Sequence, residues 1–260
     1  MKKLILFFLT SLIFTPALHA KIVTEAVTYT DADDEYTSYL SYDDSIKTKR
    51  PGILVVHEWW GLDDYVKRRA EMLAKLGYVA FTVDMYGTGK VTDSAEQAKE
   101  WMTEVTTDVE WWRERALVGI NYLKKHKLVD ANKIAAIGYC FGGGTVLQLA
   151  YSGIDIQGIV SFHGSLPIAD ETSFGKIKAQ MLIAHGNADP FTPRAIVTKF
   201  QDTLDKANAN WKMIIYGNVR HSFTNPKSDT RGMAALKYDK NADEDSWQAM
   251  QEFFNMIFKN

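Results

Sequence analysis

The stretch Ile134 to Ala150, IAAIGYCFGGGTVLQLA, leaves this chain little freedom in how to fold. A short apolar run, Ile134 to Ile137, meets Gly138, one cysteine, three consecutive glycines and then an apolar segment of helical length. That order predicts a strand, a sharp turn and a helix. In Gly138-Tyr139-Cys140-Phe141-Gly142 the glycines stand two before and two after the central residue, the spacing of the nucleophile elbow G-x-S-x-G with cysteine in place of serine. The central residue of such a turn sits in a strained backbone conformation, and flanking residues without Cβ let strand and helix pass close enough to hold it there. Its side chain projects at the top of the sheet, where the helix start aims free N–H groups and a positive dipole end at it.

Two plainer readings compete. A lone cysteine is commonly a small buried hydrophobe, and Gly-rich strand-to-helix turns also bind phosphates. Neither nucleotide fingerprint fits, because no Lys-Ser/Thr follows the glycines and the G-x-G-x-x-G spacing is missing. Cys140 is the only cysteine, so the chain has no intramolecular disulfide, and intermolecular pairing stays open as an alternative to a nucleophile.

The first twenty residues read as a secretory signal peptide: Lys2 and Lys3, an apolar run from Leu4 to Phe14, then Thr15 to Ala20 with a cut after Ala20. The expected location is therefore the periplasm or the exterior, with no stable membrane insertion after cleavage. Removing that segment leaves 28 basic against 32 acidic side chains. Such a mildly acidic balance argues against nucleic acid as a partner. Residues 21–260, 46% hydrophobic over the whole sequence, suffice for one domain and no second; a monomer is expected.

Ile22 to Thr30 and Glu35 to Tyr42 alternate as β-strands around the acidic turn Asp31-Ala32-Asp33-Asp34, which predicts an N-terminal hairpin at a sheet edge. Strands over Gly52–His57, Tyr78–Asp84, Ile156–Phe162, Gln180–His185 and Lys212–Tyr216 alternate with helices over Tyr65–Leu76, Ser94–Val105, Asp108–Lys125 and Arg194–Ala207, and a helix over Glu244–Phe258 closes the chain. This alternation predicts an α/β fold: a doubly wound, mostly parallel sheet flanked by helices, with an antiparallel hairpin and no separate cap domain. Asn225 to Asp243, rich in Lys, Asp, Gly and Asn, reads as the most loop-like stretch.

A nucleophile in this architecture needs an acid and then a histidine after it in the chain. His57, His163 and His185 each end a strand, and His163 and His185 are followed by glycine, which fits a structural role as well as a catalytic one. His126, among lysines at a helix end, reads as solvated. His221, on the loop after the last strand, is the one with an acid placed between it and Cys140 at a strand end. That acid is Asp189, whose carboxylate can accept the second ring N–H of the imidazole and fix its tautomer. Asp-Pro after a strand is also an ordinary turn signal. Three residues in the right order at three strand ends carry more weight than any one.

Glu58 stands in His57-Glu58-Trp59-Trp60-Gly61, which is not a zinc motif because no second histidine follows four residues on. No metal or organic cofactor is expected. The stretch follows the strand that supplies the second oxyanion-hole amide, so the backbone N–H groups of Trp59 and Phe141 are the expected donors. A carboxylate at Glu58 would sit beside the thiol and modulate it. Tyr86, Tyr139, His163 and Asn225 are the candidates to line the substrate pocket.

With these residues together the chain resembles the dienelactone hydrolase family from about Ile22 to Phe258. The resemblance rests on His57 to Gly61, Asp84-Met85-Tyr86-Gly87, Gly138 to Gly143, the Asp189 loop and His221-Ser222-Phe223, with Ala242 and Trp247 in the closing segment. It implies an α/β-hydrolase with a Cys140 nucleophile, a His221 base, an orienting Asp189, and a Glu58 that contacts the thiol until substrate binds. It also implies an arginine four residues after the histidine to hold a substrate carboxylate. This chain has Asn225 there, and Ala95 near the place of a second arginine, although Arg220 and Arg231 could restore a charge. The expected reaction is hydrolysis of a small-molecule ester, lactone or thioester less anionic than the family's founding substrates. A peptidase or amidase on the same triad, or a thiol-based binding or redox-sensing protein, are the alternatives.

Overall fold

The computed structural model describes residues 21–31 and 34–259. The expected leader over 1–20 and the tip of the N-terminal hairpin at 32–33 lie outside them. β1 (Ile22–Asp31) and β2 (Asp34–Asp43) pair antiparallel, from Ile22 opposite Asp43 to Asp31 opposite Asp34. β2 in turn pairs antiparallel with β4 (Val79–Val83), and from there the sheet runs parallel through β3 (Arg50–Val56), β5 (Val129–Tyr139), β6 (Gly158–Phe162), β7 (Gln180–Gly186) and β8 (Trp211–Tyr216). The order across the sheet is β1-β2-β4-β3-β5-β6-β7-β8. The hairpin thus forms one edge, as its alternating sequence predicts.

The central strands bury both faces, which is why they read as continuous apolar runs rather than alternations. In β3, Ile53 and Val55 pack on the side covered by α1 (Asp64–Lys75) and α6 (Lys240–Ile257), while Leu54 and Val56 join α3 (Val109–Lys125), α4 (Phe141–Tyr151) and α5 (Arg194–Lys206) on the other. Helix α2 (Ala95–Thr106) reaches the second layer through Val105. Each fully buried Met250, Phe254 or Leu147 contributes about 1.5–3 kcal/mol relative to exposure. The helix starts are set by side chains: Asp63, Ser94, Asp108 and Asp239 each accept backbone N–H groups of the first turn.

Several boundaries differ from the sequence reading; β5, for one, begins at Val129 rather than Ile134. The closing helix begins at Lys240, four residues before Glu244, because Asp239 caps it by accepting from Ala242 N–H. Within the expected loop, Pro226–Thr230 forms a short 3-10 helix capped by Asn225. Trp112 is buried, its indole N–H donating to Thr145 Oγ1 at 2.8 Å, whereas Trp111 stays partly exposed with the Arg115 guanidinium 4.7 Å above its ring. Among the described residues, no helix is long and apolar enough to cross a membrane.

Candidate active site

The turn between β5 and α4 places Cys140 at φ 55°, ψ −115°, a conformation L-residues rarely adopt. Close approach on both sides enforces it. A Cβ at Gly138 would overlap the carbonyl of Gly142, and one at Gly142 would overlap the carbonyl oxygen of Val56 at the end of β3. The Gly142 N–H donates to the His57 carbonyl at 3.1 Å, so the start of α4 is tied to the Trp59 loop. The Cys140 carbonyl accepts from Gly143 and Gly144 at 3.0 and 3.3 Å.

Cys140 and His221 line one cleft of about 180 Å³ with Trp59, Met102, Phe141, Ser165, Phe191, Thr192 and Leu236. His221 Nδ1 donates to Asp189 Oδ2 at 2.6 Å, and both residues are buried. Burial alone would push the His221 imidazole down. The charge of Cys140, the Asp189 hydrogen bond and the thiol contact outweigh it and hold the ring well above the ordinary imidazole range. Burial likewise raises Asp189, but hydrogen bonding to His221 and the Phe191 N–H prevails and lowers it. The backbone N–H groups of Trp59 and Phe141 donate to no other backbone carbonyl among the described residues.

Glu58 is placed differently from the expectation of a carboxylate on the thiol. One of its oxygens accepts the Ser222 hydroxyl and the other accepts Asn225 Nδ2 at 2.5 Å. Ser222 sits at φ 57°, which brings its side chain to Glu58. Burial raises the Glu58 carboxyl above its usual range despite these two donors. Glu58 therefore anchors the loop that carries His221.

That loop is held from behind as well. Thr224 Oγ1 lies 2.5 Å from Tyr65 Oη and 2.7 Å from His163 Nε2, and the Thr224 carbonyl accepts from Arg69 at 2.8 Å. Arg69, buried on α1, also pairs with Asp243 of α6 and stacks between Tyr65, Tyr139 and Trp247.

None of the four residues expected to line the substrate pocket does so. Tyr86 is 5% exposed and packs against Phe141 and His57, and Tyr139, at the end of the interior strand β5, is buried between Tyr65 and Phe162. His163 is wholly buried behind His221, with its ring 5.4 Å from the His221 ring. Asn225 is turned onto Glu58. Nor do the nearby arginines reach the cleft: Arg231 lies over Trp60 and pairs with Asp93, while Arg220 donates to the Ala234 carbonyl at 2.8 Å. His57 and His126 also lie outside the cleft. His57 Nδ1 lies 2.5 Å from the Glu58 carbonyl and its Nε2 accepts the Met85 N–H. His126 is half-buried against Tyr122 rather than fully solvated.

The residues that do line the cleft, Met102, Phe191, Thr192 and Leu236, carried no motif. Phe191 alone left a trace, as the aromatic two positions after Asp189; its ring stands edge-on to His221 at 5.1 Å. Among the described residues, no group of three or more His, Cys, Asp or Glu is arranged to hold a metal ion.

Comparison with known proteins identifies the family. The model of the dienelactone hydrolase family matches residues 37–258. A solved structure described as m3DLH superimposes with a TM-score of 0.88 at 35% identity, covering 92% of this chain and 99% of that one. The dienelactone hydrolase-like promiscuous phosphotriesterase P91, from metagenomic libraries, does so with a TM-score of 0.88 at 34% identity over the same shares. A candidate carboxymethylenebutenolidase of Aquifex aeolicus is 25% identical over 214 residues, 80% of this chain and 89% of that protein.

Proposed function

Since the chain belongs to the dienelactone hydrolase family, a family of ester and lactone hydrolases, we propose that it cleaves neutral, apolar esters, lactones or thioesters through Cys140, His221 and Asp189. The observation that carries this reading is the 2.6 Å contact of His221 with Asp189 in a cleft that His221 shares with Cys140. The Cys140 thiolate adds to the substrate carbonyl carbon, and the oxyanion is received by the N–H groups of Trp59 and Phe141. The His221 imidazolium gives its Nε2 proton to the leaving oxygen, or to the leaving sulfur of a thioester, as the C–O or C–S bond breaks, leaving an acyl-thioester on Cys140. His221 then takes a proton from water, the resulting hydroxide adds to the thioester carbonyl, and the thiolate leaves with the acid as product. Asp189 keeps Nδ1 protonated throughout, so that Nε2 is the nitrogen that exchanges protons.

The lining supports a neutral substrate. Met102, Phe141, Phe191, Leu236 and Trp59 are apolar, and no basic side chain except His221 borders the cleft. The same lack of charge admits a neutral phosphotriester, the substrate class in the name of P91, as a second compound to assay. Export through the segment 1–20, a monomeric state and activity without metal or organic cofactor complete the proposal. The deciding experiment is mass spectrometry of the protein quenched during turnover of a slow aryl ester. An acyl adduct on Cys140 with a matching burst of leaving group supports the reading, and turnover with no adduct overturns it.

A further inference from the structure

A second imidazole, His163, stands 5.4 Å from His221, ring to ring, and takes no part in the chemistry above. Its Nε2 ends a line of polar atoms: Arg69 Nε is 3.3 Å from Tyr65 Oη, Tyr65 Oη is 2.5 Å from Thr224 Oγ1, and Thr224 Oγ1 is 2.7 Å from His163 Nε2. All four side chains are buried.

The direction of the line is fixed by counting donors. Arginine has only donors, so Tyr65 Oη accepts from Arg69. The Tyr65 proton then has Thr224 Oγ1 as its partner, and the Thr224 proton has His163 Nε2. If Nε2 instead carried a proton and donated to Thr224, one hydroxyl proton in the line would be left without an acceptor, and the His163 Nδ1 lone pair would be unpaired too. Leaving such a buried group unsatisfied is costly. In the first arrangement only Nδ1–H lacks a partner among other residues. A doubly protonated His163 is worse still: it orphans the hydroxyl and faces Arg69 and the His221 imidazolium.

We propose that Tyr65 and Thr224 are positioning residues that lock His163 as the neutral Nδ1–H tautomer, leaving His221 the one imidazole at the site free to change charge. The groups facing His163 are His221 on the loop after β8, Arg69 and Tyr65 on α1, Tyr139 on β5 and His185 on β7. Burial, His221 and Arg69 all push His163 the same way, well below the ordinary imidazole range. A His163 able to take up a proton would oppose the imidazolium on which the Cys140 thiolate depends. The lock therefore extends the working range of the thiolate–imidazolium pair to lower pH. This consequence rests on the hydrolase reading; the tautomer does not.

The test is long-range 1H–15N NMR of the full chain labelled at histidine, from pH 5 to 9, with His163 assigned by loss of its signals in His163→Gln. The expected wild-type spectrum shows His163 with a proton on Nδ1, a bare Nε2 and no titration. Thr224→Val removes the hydroxyl but keeps the shape, and is expected to produce a mixed or titrating His163. It also moves the acid limb of kcat/KM to higher pH and lowers kcat/KM roughly tenfold. Thr224→Ser, which keeps the hydroxyl, retains the wild-type Nε2 signal. Tyr65→Phe breaks the line one step earlier and serves if the valine variant does not fold. A proton on Nε2 in the wild type, a titrating wild-type His163, or an unchanged spectrum and pH profile in both Thr224→Val and Tyr65→Phe overturns the proposal. Absence of ester turnover in the wild type would strike the hydrolase reading and leave the NMR result standing.

Discussion

Asn225 Nδ2 stands 2.5 Å from Glu58 Oε2, so the residue at the family's arginine position contacts a buried carboxylate instead of the cleft. With Ser222 on the other oxygen, Glu58 fixes both sides of the loop that starts at His221. The loop is a tight one, since the Asn225 N–H donates back to the Ser222 carbonyl at 3.1 Å.

If Glu58 acts on the loop and not on the thiol, Glu58→Gln changes the alkylation rate of Cys140 by less than about twofold and lowers turnover roughly tenfold, the size of one buried hydrogen bond to a charged group. Iodoacetamide kinetics beside ester hydrolysis on the same two proteins decide it. A large rise in alkylation would put the carboxylate back on the sulfur.

Cys140→Ala is expected to fold as the wild type and to lose about 10⁴-fold in kcat, the usual loss when one member of such a catalytic unit is removed. The turn survives because it is set by contacts at Gly138 and Gly142, not by the thiol. Circular dichroism with a progress curve checks both halves. A loss of only a few-fold would mean that some other group attacks the substrate.

Asp189→Asn lowers the His221 imidazole, because the carboxylate is among the groups that hold it up. The alkaline limb of the kcat/KM profile therefore moves to lower pH. Stability carries the same signature. The lowered Asp189 contributes stability above the ordinary carboxylate pKa, lost as pH falls through its folded value; the raised His221 contributes below the ordinary imidazole pKa, lost as pH rises through its folded value. The wild type exceeds the variant most between about pH 4 and 6.5. Urea unfolding at pH 3, 5.5 and 9 tests this, and a gap independent of pH would contradict it.

A carboxylated ester loses solvation on entering a cleft lined by Met102, Phe191 and Leu236 and meets no cation there other than His221. Each charge-assisted contact it forgoes is worth about 1.5–3 kcal/mol, so the neutral analogue is expected to have a kcat/KM at least tenfold higher. Asn225→Arg leaves that ratio unchanged, since the new guanidinium meets Glu58 before any substrate. Paired assays of neutral and anionic esters on both proteins give the answer.

Gly142→Ala drives a methyl group into the carbonyls of Val56 and His57, which shifts the Trp59 loop away from the elbow. Overpacking of this kind destabilises by about 1–3 kcal/mol. Activity falls further than stability accounts for, because the Trp59 N–H no longer meets the oxyanion. Thermal unfolding and kcat, measured together, separate the two effects.

The elbow was legible because its glycines answer to backbone contact, which leaves a mark at fixed spacing. Asp189 and His221 were legible because chain order and strand ends constrain them. Other features left no such mark. Ser222 reaches Glu58 through a positive φ that no motif announces, and Leu236 comes to the cleft through a bridge with His221 fifteen residues earlier in the chain. Tyr86, Tyr139 and His163 stand at strand ends, yet burial turns them into the wall behind the site. Lys240 was missed as a helix start because its first turn is charged and shows no apolar period until Trp247.

The five residues from His221 to Asn225 make side-chain contacts to Asp189, His163, Tyr65, Glu58 and Arg69, which lie between 32 and 167 residues back along the chain. Contacts of such separation form late, since the loops they close must be paid for before they stabilise anything. A nascent or truncated chain can therefore hold the elbow and much of the sheet while its histidine remains unheld. On the proposed mechanism the thiol would lack its base until the loop after the last strand has docked, so catalytic competence would follow the folding of the sheet.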